Sequence, residues 1–248
     1  MKLVLNKSSY LKSSIDAISG LIIEARFSLN KSGIELKSND PANICMVIFK
    51  LNSLGFVTYE LENNIELGLK ISDLKDILRK TSENDVLTIE YEEPRLVLTL
   101  KGKTIKTFKI NTLEIEDKGY KEPELKFDCE IRTTSSIFKE AIDTCDITRD
   151  DEGIEISANS DKLTFYTESA GNNEAKVVIK PSKETELKTD KEVKAKYSKE
   201  YLKKIMEGCK ISEDVRIHIK DDFPLRVDFI VPDKVQLAFI LAPRVTNE

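Results

Sequence analysis

Two stretches of this chain are variants of one another: SSYLKSSIDAIS (Ser8–Ser19) and SSIFKEAIDTCD (Ser135–Asp146). Each opens with serines, which favour a helix N-terminus, and each spaces its apolar residues three and four positions apart. The pattern predicts one amphipathic helix in each stretch. Because the stretches lie half a chain apart, the 248 residues indicate two copies of one unit.

A second pair of helices is predicted further along each copy. SDLKDILRK (Ser72–Lys80) and SKEYLKKIMEGC (Ser198–Cys209) again carry an apolar stripe, with Ser72 and Ser198 as expected N-caps. The offset between this pair is nearly the same as that between the first pair. Equal offsets favour a true duplication over two unrelated α+β domains that match by chance, the alternative reading.

The segments between the helices repeat as well. SGIELKSND (Ser32–Asp40) is similar to EGIEISANSD (Glu152–Asp161), and NDVLTIEYEEPRLVLTL (Asn84–Leu100) is similar to EDVRIHIKDDFPLRVDFIV (Glu213–Val231). Alternating apolar and polar residues predict half-buried antiparallel strands. We therefore expect an α+β fold of two similar lobes, with two helices covering a sheet in each lobe.

A polar segment separates the two copies. TLEIEDKGYKEPEL (Thr112–Leu125) contains Gly119 and Pro123, many charges and little periodicity, which predicts an extended surface connector. The expected organisation is a first lobe at 1–111, a connector at 112–125 and a second lobe at 126–248.

Composition argues against several function classes. Four dispersed cysteines without a CxxC pair indicate reduced thiols in an intracellular protein. No apolar run is long enough to span a bilayer, and the N-terminus lacks the apolar segment of a secretory signal. A single histidine, His218, and no glycine-rich nucleotide loop leave no persuasive catalytic set. We expect no enzyme activity, metal or cofactor, although an active site built from carboxylates alone stays open.

Two short motifs then resemble a known family. LKSNDPANICMVIF (Leu36–Phe49) and the ending LAPRV (Leu241–Val245) resemble segments of DNA polymerase sliding clamps of the proliferating cell nuclear antigen type, in an archaeal-like form. The resemblance implies three copies in a ring around duplex DNA, with antiparallel sheets outside and four helices lining a central hole. It implies a non-enzymatic processivity factor that tethers DNA polymerase and other replication and repair enzymes.

Other hypotheses stay open beside this one. The same fold could serve as a subunit of a hetero-trimeric or checkpoint-type clamp. A carboxylate-based, metal-dependent nuclease and a peptide-binding adaptor that forms no ring are hypotheses from other classes.

The helices supply the expected DNA-facing residues. Together they carry a slight basic surplus, whereas the whole chain has a net charge of −5. Flexible lysines suit exchangeable, sequence-independent contacts with phosphates. The candidates are Lys12, Lys75, Arg79, Arg149, Lys203, Lys204 and Lys210.

The resemblance also implies a subunit joint. A strand in KTIKTFKIN (Lys103–Asn111) would pair with a strand in EAKVVIK (Glu174–Lys180) of the next copy. The apolar contact between them would consist of Phe108, Ile110, Val177 and Ile179. These stretches could instead be ordinary internal strands, because their β pattern alone does not distinguish the two cases.

A partner-binding pocket is implied for short client motifs with aromatic side chains. Its residues would be Asn43, Ile44, Met46, Pro224, Leu241, Ala242 and Pro243, with Gly119 and Tyr120 at the connector edge. Expected partners are double-stranded DNA, two further clamp subunits, DNA polymerase, clamp loader, flap endonuclease and ligase, and no membrane. The expected location is the cytoplasm or nucleoid of an archaeon, or the nucleus of a eukaryote.

Overall fold

The chain divides into two compact units, seen in a computed structural model that describes residues 1–148, 153–169, 171 and 173–244. Unit 1 comprises Met1–Pro41, Val47–Glu122 and Val231–Leu237, and unit 2 comprises Ala42–Met46, Pro123–Ile230 and the chain from Ala238 onward. The lobe boundaries predicted from sequence, at 111 and 126, stay predictions.

The first half of the chain contributes eleven of the helices and strands. They are β1 (Lys2–Leu5), α1 (Ser9–Ile18), β2 (Glu24–Asn30), β3 (Gly33–Asn39), β4 (Cys45–Asn52), β5 (Thr58–Glu60), β6 (Ile65–Lys70), α2 (Ile71–Leu78), β7 (Val86–Glu92), β8 (Arg95–Lys101) and β9 (Ile105–Asn111). Five strands follow the order β5-β1-β7-β8-β9, and four follow the order β4-β3-β2-β6.

The second half repeats this series. Its elements are β10 (Cys129–Thr134), α3 (Ser135–Cys145), β11 (Ile154–Asn159), β12 (Lys162–Glu168), β13 (Glu174–Ile179), β14 (Glu186–Thr189), β15 (Val193–Tyr197), α4 (Lys199–Met206), β16 (Asp214–Ile219), β17 (Leu225–Val231) and β18 (Val235–Leu241). The strand orders are β14-β10-β16-β17-β18 and β13-β12-β11-β15. Element by element they match the first half, which confirms the α+β fold built from a duplicated unit.

The apolar stripes of the helices face the core, as predicted. Leu11, Ile15 and Ile18 of α1 are at most 4% exposed, and Phe138 and Ile142 of α3 are fully buried. Within their own units, α1 packs against α2, and α3 packs against α4. The helices therefore owe their stability to one buried face, not to length, because each has only 8 to 11 residues.

One predicted helix start is wrong. Helix α2 begins at Ile71 with Lys70 as its N-cap, so Ser72 lies inside the first turn and does not cap it. The reason is tertiary: Ile71 is fully buried and its N–H bonds to the carbonyl of Ile23. Ser198 is the N-cap of α4 as predicted, but its side chain makes no capping hydrogen bond.

The connector contains neither helix nor strand, only an isolated bridge between Leu113 and Gly68 of β6. A Cβ atom on Gly68 would lie 2.1 Å from the Leu113 carbonyl oxygen. Any larger residue at position 68 would push the connector away from β6, so this close approach requires glycine.

The four cysteines are thiols that form no disulfide within the described residues. Cys45, Cys129 and Cys145 are buried, and Cys209 is half-buried. Burial raises the pKa of Cys129, Cys145 and Cys209 to about 11. They are therefore protonated, unreactive parts of the packing at neutral pH. No helix in the described part of the chain is both long and apolar enough to span a membrane.

Candidate functional site

Strand β9 is an edge strand of its sheet. Within the described residues it pairs only with β8, with Phe108 opposite Leu98. The bonds from Thr112 N–H to the Pro94 carbonyl and from Gly102 N–H to the Thr104 carbonyl mark the hydrogen-bonded pairs at the two ends of this ladder. Because such pairs alternate in antiparallel sheets, the odd-numbered residues of β9 turn their backbone groups outward. These are Ile105, Thr107, Lys109 and Asn111.

Strand β13 is the corresponding edge of the four-stranded sheet, and it pairs with β12. Ser169 donates its N–H to the Asn173 carbonyl at 2.9 Å, which fixes the alternation here too. Glu174, Lys176 and Val178 therefore direct their N–H and C=O groups away from β12. Both predicted joint strands thus offer an open row of backbone donors and acceptors along the part of the chain that the structure describes.

The predicted apolar contact needs one revision. Phe108, Val177 and Ile179 are half-buried on the core side of their sheets, where a partner could still reach them. Ile110 is only 6% exposed. Its side chain already belongs to the core of this chain, so it offers little surface to another copy.

Acidic side chains lie at the β13 edge. The Tyr166 hydroxyl lies 3.0 Å from a Glu168 carboxylate oxygen and 3.2 Å from one of Glu174. Its hydrogen bond to Glu168 is the largest factor that raises the pKa of Tyr166 to about 12. The Glu174 side chain therefore has a fixed neighbour beside the outward backbone of β13.

Two of the three predicted DNA-facing cations at α1 and α2 pair with an acidic side chain of these helices. Lys75 donates to the Ser19 hydroxyl at 2.6 Å and lies 3.7 Å from Asp16. Arg79 lies 3.8 Å from the same Asp16 carboxylate. Only Lys12 of this group has no acidic partner among the described residues. The charges can be counted from the sequence, but these pairings depend on how α1 and α2 pack.

The same holds for α3 and α4. Lys203 is 2.6 Å from Asp146, and Lys204 is 2.6 Å from Glu200 and 5.1 Å from the centre of the Tyr201 ring. Lys210 pairs with Glu207. Exposed pairs of this kind contribute only about 0–1 kcal/mol each, so a phosphate group can compete for such a cation. Arg149, also predicted to face DNA, lies outside the described residues.

Part of the predicted client pocket comes together in unit 2. Ala242 donates its N–H to the Ile44 carbonyl at 2.9 Å, which joins the two motifs that carried the family resemblance. Ile44 is 38% exposed, and Asn43 adopts a positive φ of 56° in the turn before it. The other predicted residues of this site in unit 2 are half-buried: Met46, Pro224, Ala242 and Pro243.

Leu241 does not belong to that surface. Its side chain is fully buried, so it supports the strand from the core and corrects our expectation of a pocket-lining residue. Gly119 and Tyr120 lie in the connector part of unit 1, where Gly119 has a φ of 63° and Tyr120 is half-buried. A groove of about 690 Å³ is present in unit 1, and its lining contains none of the predicted pocket residues.

His218 lies in unit 2, beside the residues that follow the connector. Its ring is 5.4 Å from Phe127, and its Nε2 is 3.7 Å from the buried Asp228 carboxylate. Burial is the largest influence on its pKa and lowers it below 6.5, against the opposing effect of Asp228. His218 is therefore neutral at pH 7 and packs as an aromatic ring. No group of three metal-ligating side chains comes together within the described ranges.

Comparison with known proteins covers the whole described fold. The family model "Proliferating cell nuclear antigen, N-terminal domain" matches residues 1–120, and "Proliferating cell nuclear antigen, C-terminal domain" matches residues 121–244. A solved structure of proliferating cellular nuclear antigen from Entamoeba histolytica superposes with a TM-score of 0.92 over 98% of both chains. At 19% identity, this likeness shows the fold alone.

Relatives at the sequence level carry concordant names. A "DNA polymerase sliding clamp" of Nanoarchaeum equitans is 29% identical, over 98% of this chain and 99% of that protein. A "Proliferating cell nuclear antigen" of Chaetomium thermophilum is 28% identical over 98% of both. A "DNA polymerase sliding clamp" of Thermococcus gammatolerans is 27% identical over 93% of both.

Proposed function

This chain belongs to the proliferating cell nuclear antigen family, and on that premise we propose that three copies close head-to-tail into a ring around duplex DNA. It is a sliding clamp, a processivity factor for DNA polymerase. Family members are non-enzymatic scaffolds, and we propose that this one catalyses no reaction and needs no cofactor. A role in a hetero-trimeric or checkpoint-type clamp is not favoured, since the relatives carry the names of replicative clamps.

One observation carries the ring. In the duplicated fold, β9 is the counterpart of β18, and β13 is the counterpart of β4. Hydrogen bonds within each unit link the ends of β18 and β4: Ala242 N–H bonds to the Ile44 carbonyl in unit 2, and Asn52 N–H bonds to the Lys234 carbonyl in unit 1. The counterparts β9 and β13 end their sheets. Pairing β9 of one copy with β13 of the next would repeat a junction that the chain already makes.

Such a contact is heterologous, because two different surfaces meet, and it closes into a ring when the rotation between copies allows. Seven outward residues supply its backbone hydrogen bonds: Ile105, Thr107, Lys109, Asn111, Glu174, Lys176 and Val178. Each bond contributes about 0.5–1.5 kcal/mol. Phe108, Val177 and Ile179 would add the apolar contact, and together these terms give a joint that is stable yet can be opened.

The helices are proposed to face the DNA. Lys12, Arg79, Lys203, Lys204 and Lys210 would touch phosphates through exchangeable contacts, since most already share an exposed acidic partner. Lys75 is the least available, because its side chain is 24% exposed and bonded to Ser19. The expected DNA contact is weak, sequence-independent and sensitive to salt.

Client proteins are proposed to dock on unit 2 at Ile44, Met46, Pro224, Ala242 and Pro243. A half-exposed apolar surface of this kind suits short motifs with aromatic anchors, and Met46 adapts to anchors of different shape. The proposed clients are DNA polymerase, clamp loader, flap endonuclease and ligase. Their work on chromosomal DNA places the protein inside the cell.

Mass and processivity together test the ring. Native mass spectrometry is expected to show a homotrimer, and the protein is expected to lengthen polymerase products on primed circular DNA. A protein that stays monomeric at micromolar concentration and leaves product length unchanged would refute the ring. DNA cleavage in the presence of magnesium would refute the non-enzymatic role.

A further inference from the structure

An ion-pair cluster joins the connector to the sheet of unit 1. Arg26 of β2 contacts two carboxylates. Its Nε is 3.1 Å from an oxygen of Glu66, and its Nη1 is 3.6 Å from an oxygen of Asp117 in the connector. The Ser28 hydroxyl donates to the other Glu66 oxygen at 2.7 Å. One cation therefore stands between a sheet carboxylate, held in place by Ser28, and a connector carboxylate.

Asp117 uses its two oxygens for different purposes. Oδ1 accepts the N–H of Gly119 at 2.8 Å, and Gly119 has a φ of 63° in that turn. Oδ2 faces Arg26. A single carboxylate thus links the shape of the connector turn to the surface of the sheet.

A backbone hydrogen bond also holds the connector in place, four residues before Asp117. Leu113 donates its N–H to the Gly68 carbonyl at 2.8 Å. In the register of β2 and β6, Arg26 lies directly opposite Gly68, whose missing side chain leaves room for the connector to pass. Arg26 and Glu66 also line the groove of about 690 Å³ that the first connector residues border.

We propose that Arg26 is a positioning residue for the connector: through Asp117 it holds the connector against β6. It would thereby position Gly119 and Tyr120, which the sequence predicts at the edge of the client pocket, and so set how tightly a client peptide binds. The second half of this proposal rests on the proposed client-binding function, and the first half does not. Both partners of Arg26 are exposed, so the contact is weak and reversible. Its contribution decreases as the ionic strength increases.

The test compares single and double charge removals in the full-length protein. Arg26→Gln removes the cation, whereas Asp117→Asn keeps an oxygen for the Gly119 N–H and removes only the charge. An exposed ion pair shifts an equilibrium by a factor of about two to five. We expect the Leu113 and Gly119 amides to exchange hydrogen faster by that factor in either single variant. The double variant should show the same increase and no more, because both substitutions remove the same contact.

Client affinity is measured on the same proteins with a peptide that carries a glutamine and two aromatic side chains. In Arg26→Gln and Asp117→Asn, the dissociation constant of the peptide is expected to increase by a factor of about two to five at low salt. The difference from the wild-type protein should vanish at about 0.5 M salt. Arg26→Lys, which keeps the charge, should restore most of both signals. Lys50→Gln is the matched control, since it breaks the exposed Lys50–Glu35 pair far from the connector in sequence.

The outcomes separate the two halves of the proposal. Unchanged amide exchange in Arg26→Gln would overturn the connector contact. Faster exchange with unchanged peptide affinity would overturn the role of Arg26 in client binding. If the wild-type protein binds no peptide, the proposed client site fails, while amide exchange still decides whether Arg26 holds the connector.

Discussion

Strands β4 and β13 occupy equivalent places in the two copies of the fold, but they differ in what covers them. In β4 (CMVIFKLN), five of eight residues are buried; in β13 (EAKVVI), one of six is. Their counterpart partners differ in the same way, since β18 is almost entirely buried and β9 alternates with exposed lysines. The buried strands β4 and β18 suit a permanent contact within the chain. The more polar strands β9 and β13 tolerate water and suit the proposed contact between copies, which has to open.

The largest expected effect comes from truncating the same residue type in the two strands. Val47 of β4 is fully buried, so Val47→Ala should reduce the free energy of unfolding by about 2–3 kcal/mol through lost burial and a new cavity. Val177 of β13 is half-buried, and Val177→Ala should cost less than about 1 kcal/mol. Urea denaturation of both variants measures the difference. Equal losses would show that the two edges are not energetically distinct.

A proline in β9 tests the open edge directly. Thr107 turns its N–H away from β8, so Thr107→Pro should leave the chain folded but remove a hydrogen bond from each joint. At about 0.5–1.5 kcal/mol per bond, the dissociation constant of each joint should increase by up to about tenfold. Sedimentation velocity over a concentration series detects the shift toward monomers. Thr107→Ala is the control, and an unshifted Thr107→Pro would place the joint elsewhere.

Strand β4 also carries Met46 of the proposed client surface, which distinguishes it further from β13. Met46→Glu places a charge on the half-buried side of the proposed site, and client-peptide affinity should decrease about tenfold. The matched variant is Val178→Glu on β13, exposed to 47%, which should leave peptide affinity unchanged. Isothermal titration calorimetry reports both. Normal binding by Met46→Glu would move the client site away from β4.

The ion pairs on the helices are also expected to exchange, in this case for contacts with DNA phosphates. Asp146 holds Lys203 at 2.6 Å, so Asp146→Asn should release the cation and tighten DNA binding. Lys203→Gln should weaken binding and reduce the slope of log K against log salt by about one. Fluorescence anisotropy with duplex DNA at several salt concentrations measures both. Identical slopes in the two variants would exclude Lys203 from the DNA contact.

The smallest expected effect is on pH dependence of the fold itself. The pKa of His218 lies below 6.5 in the folded chain, mainly because the ring is buried. Its contribution to stability is present above pH 6.5 and decreases as the pH falls below that value, because the unfolded chain binds the proton more tightly. Urea midpoints between pH 7 and pH 5 should show this decrease, and His218→Gln should remove part of it. A decrease of the same size in His218→Gln would assign it to other groups.

Periodicity was sufficient to predict the α+β fold and its duplication. Four apolar stripes at matching offsets, and β segments of similar pattern, required the same order of elements twice. The N-cap of α2 was predicted two residues too late, because burial of Ile71 and its bond to Ile23 outweigh the capping preference of Ser72. Local preference is a small energy that tertiary contacts readily exceed.

The candidate sites were predicted with less accuracy, residue by residue. Ile110 and Leu241 are apolar residues in the expected segments, yet both side chains are buried in the core. Alternation along a strand predicts two faces, but which face a neighbouring element covers depends on packing. The contact of Arg26 with Asp117 was not anticipated at all, because the two residues are far apart in sequence and carry no motif.

The sequence by itself determined the duplicated α+β fold, because hydrophobic periodicity is a local property that either copy displays. It also determined the family, through motifs at Leu36–Phe49 and the C-terminal end. Only the tertiary structure decided which strands end their sheets, which cations are held by acids and which apolar side chains remain available. Those properties depend on distances between residues remote in the chain, and a linear pattern does not contain them.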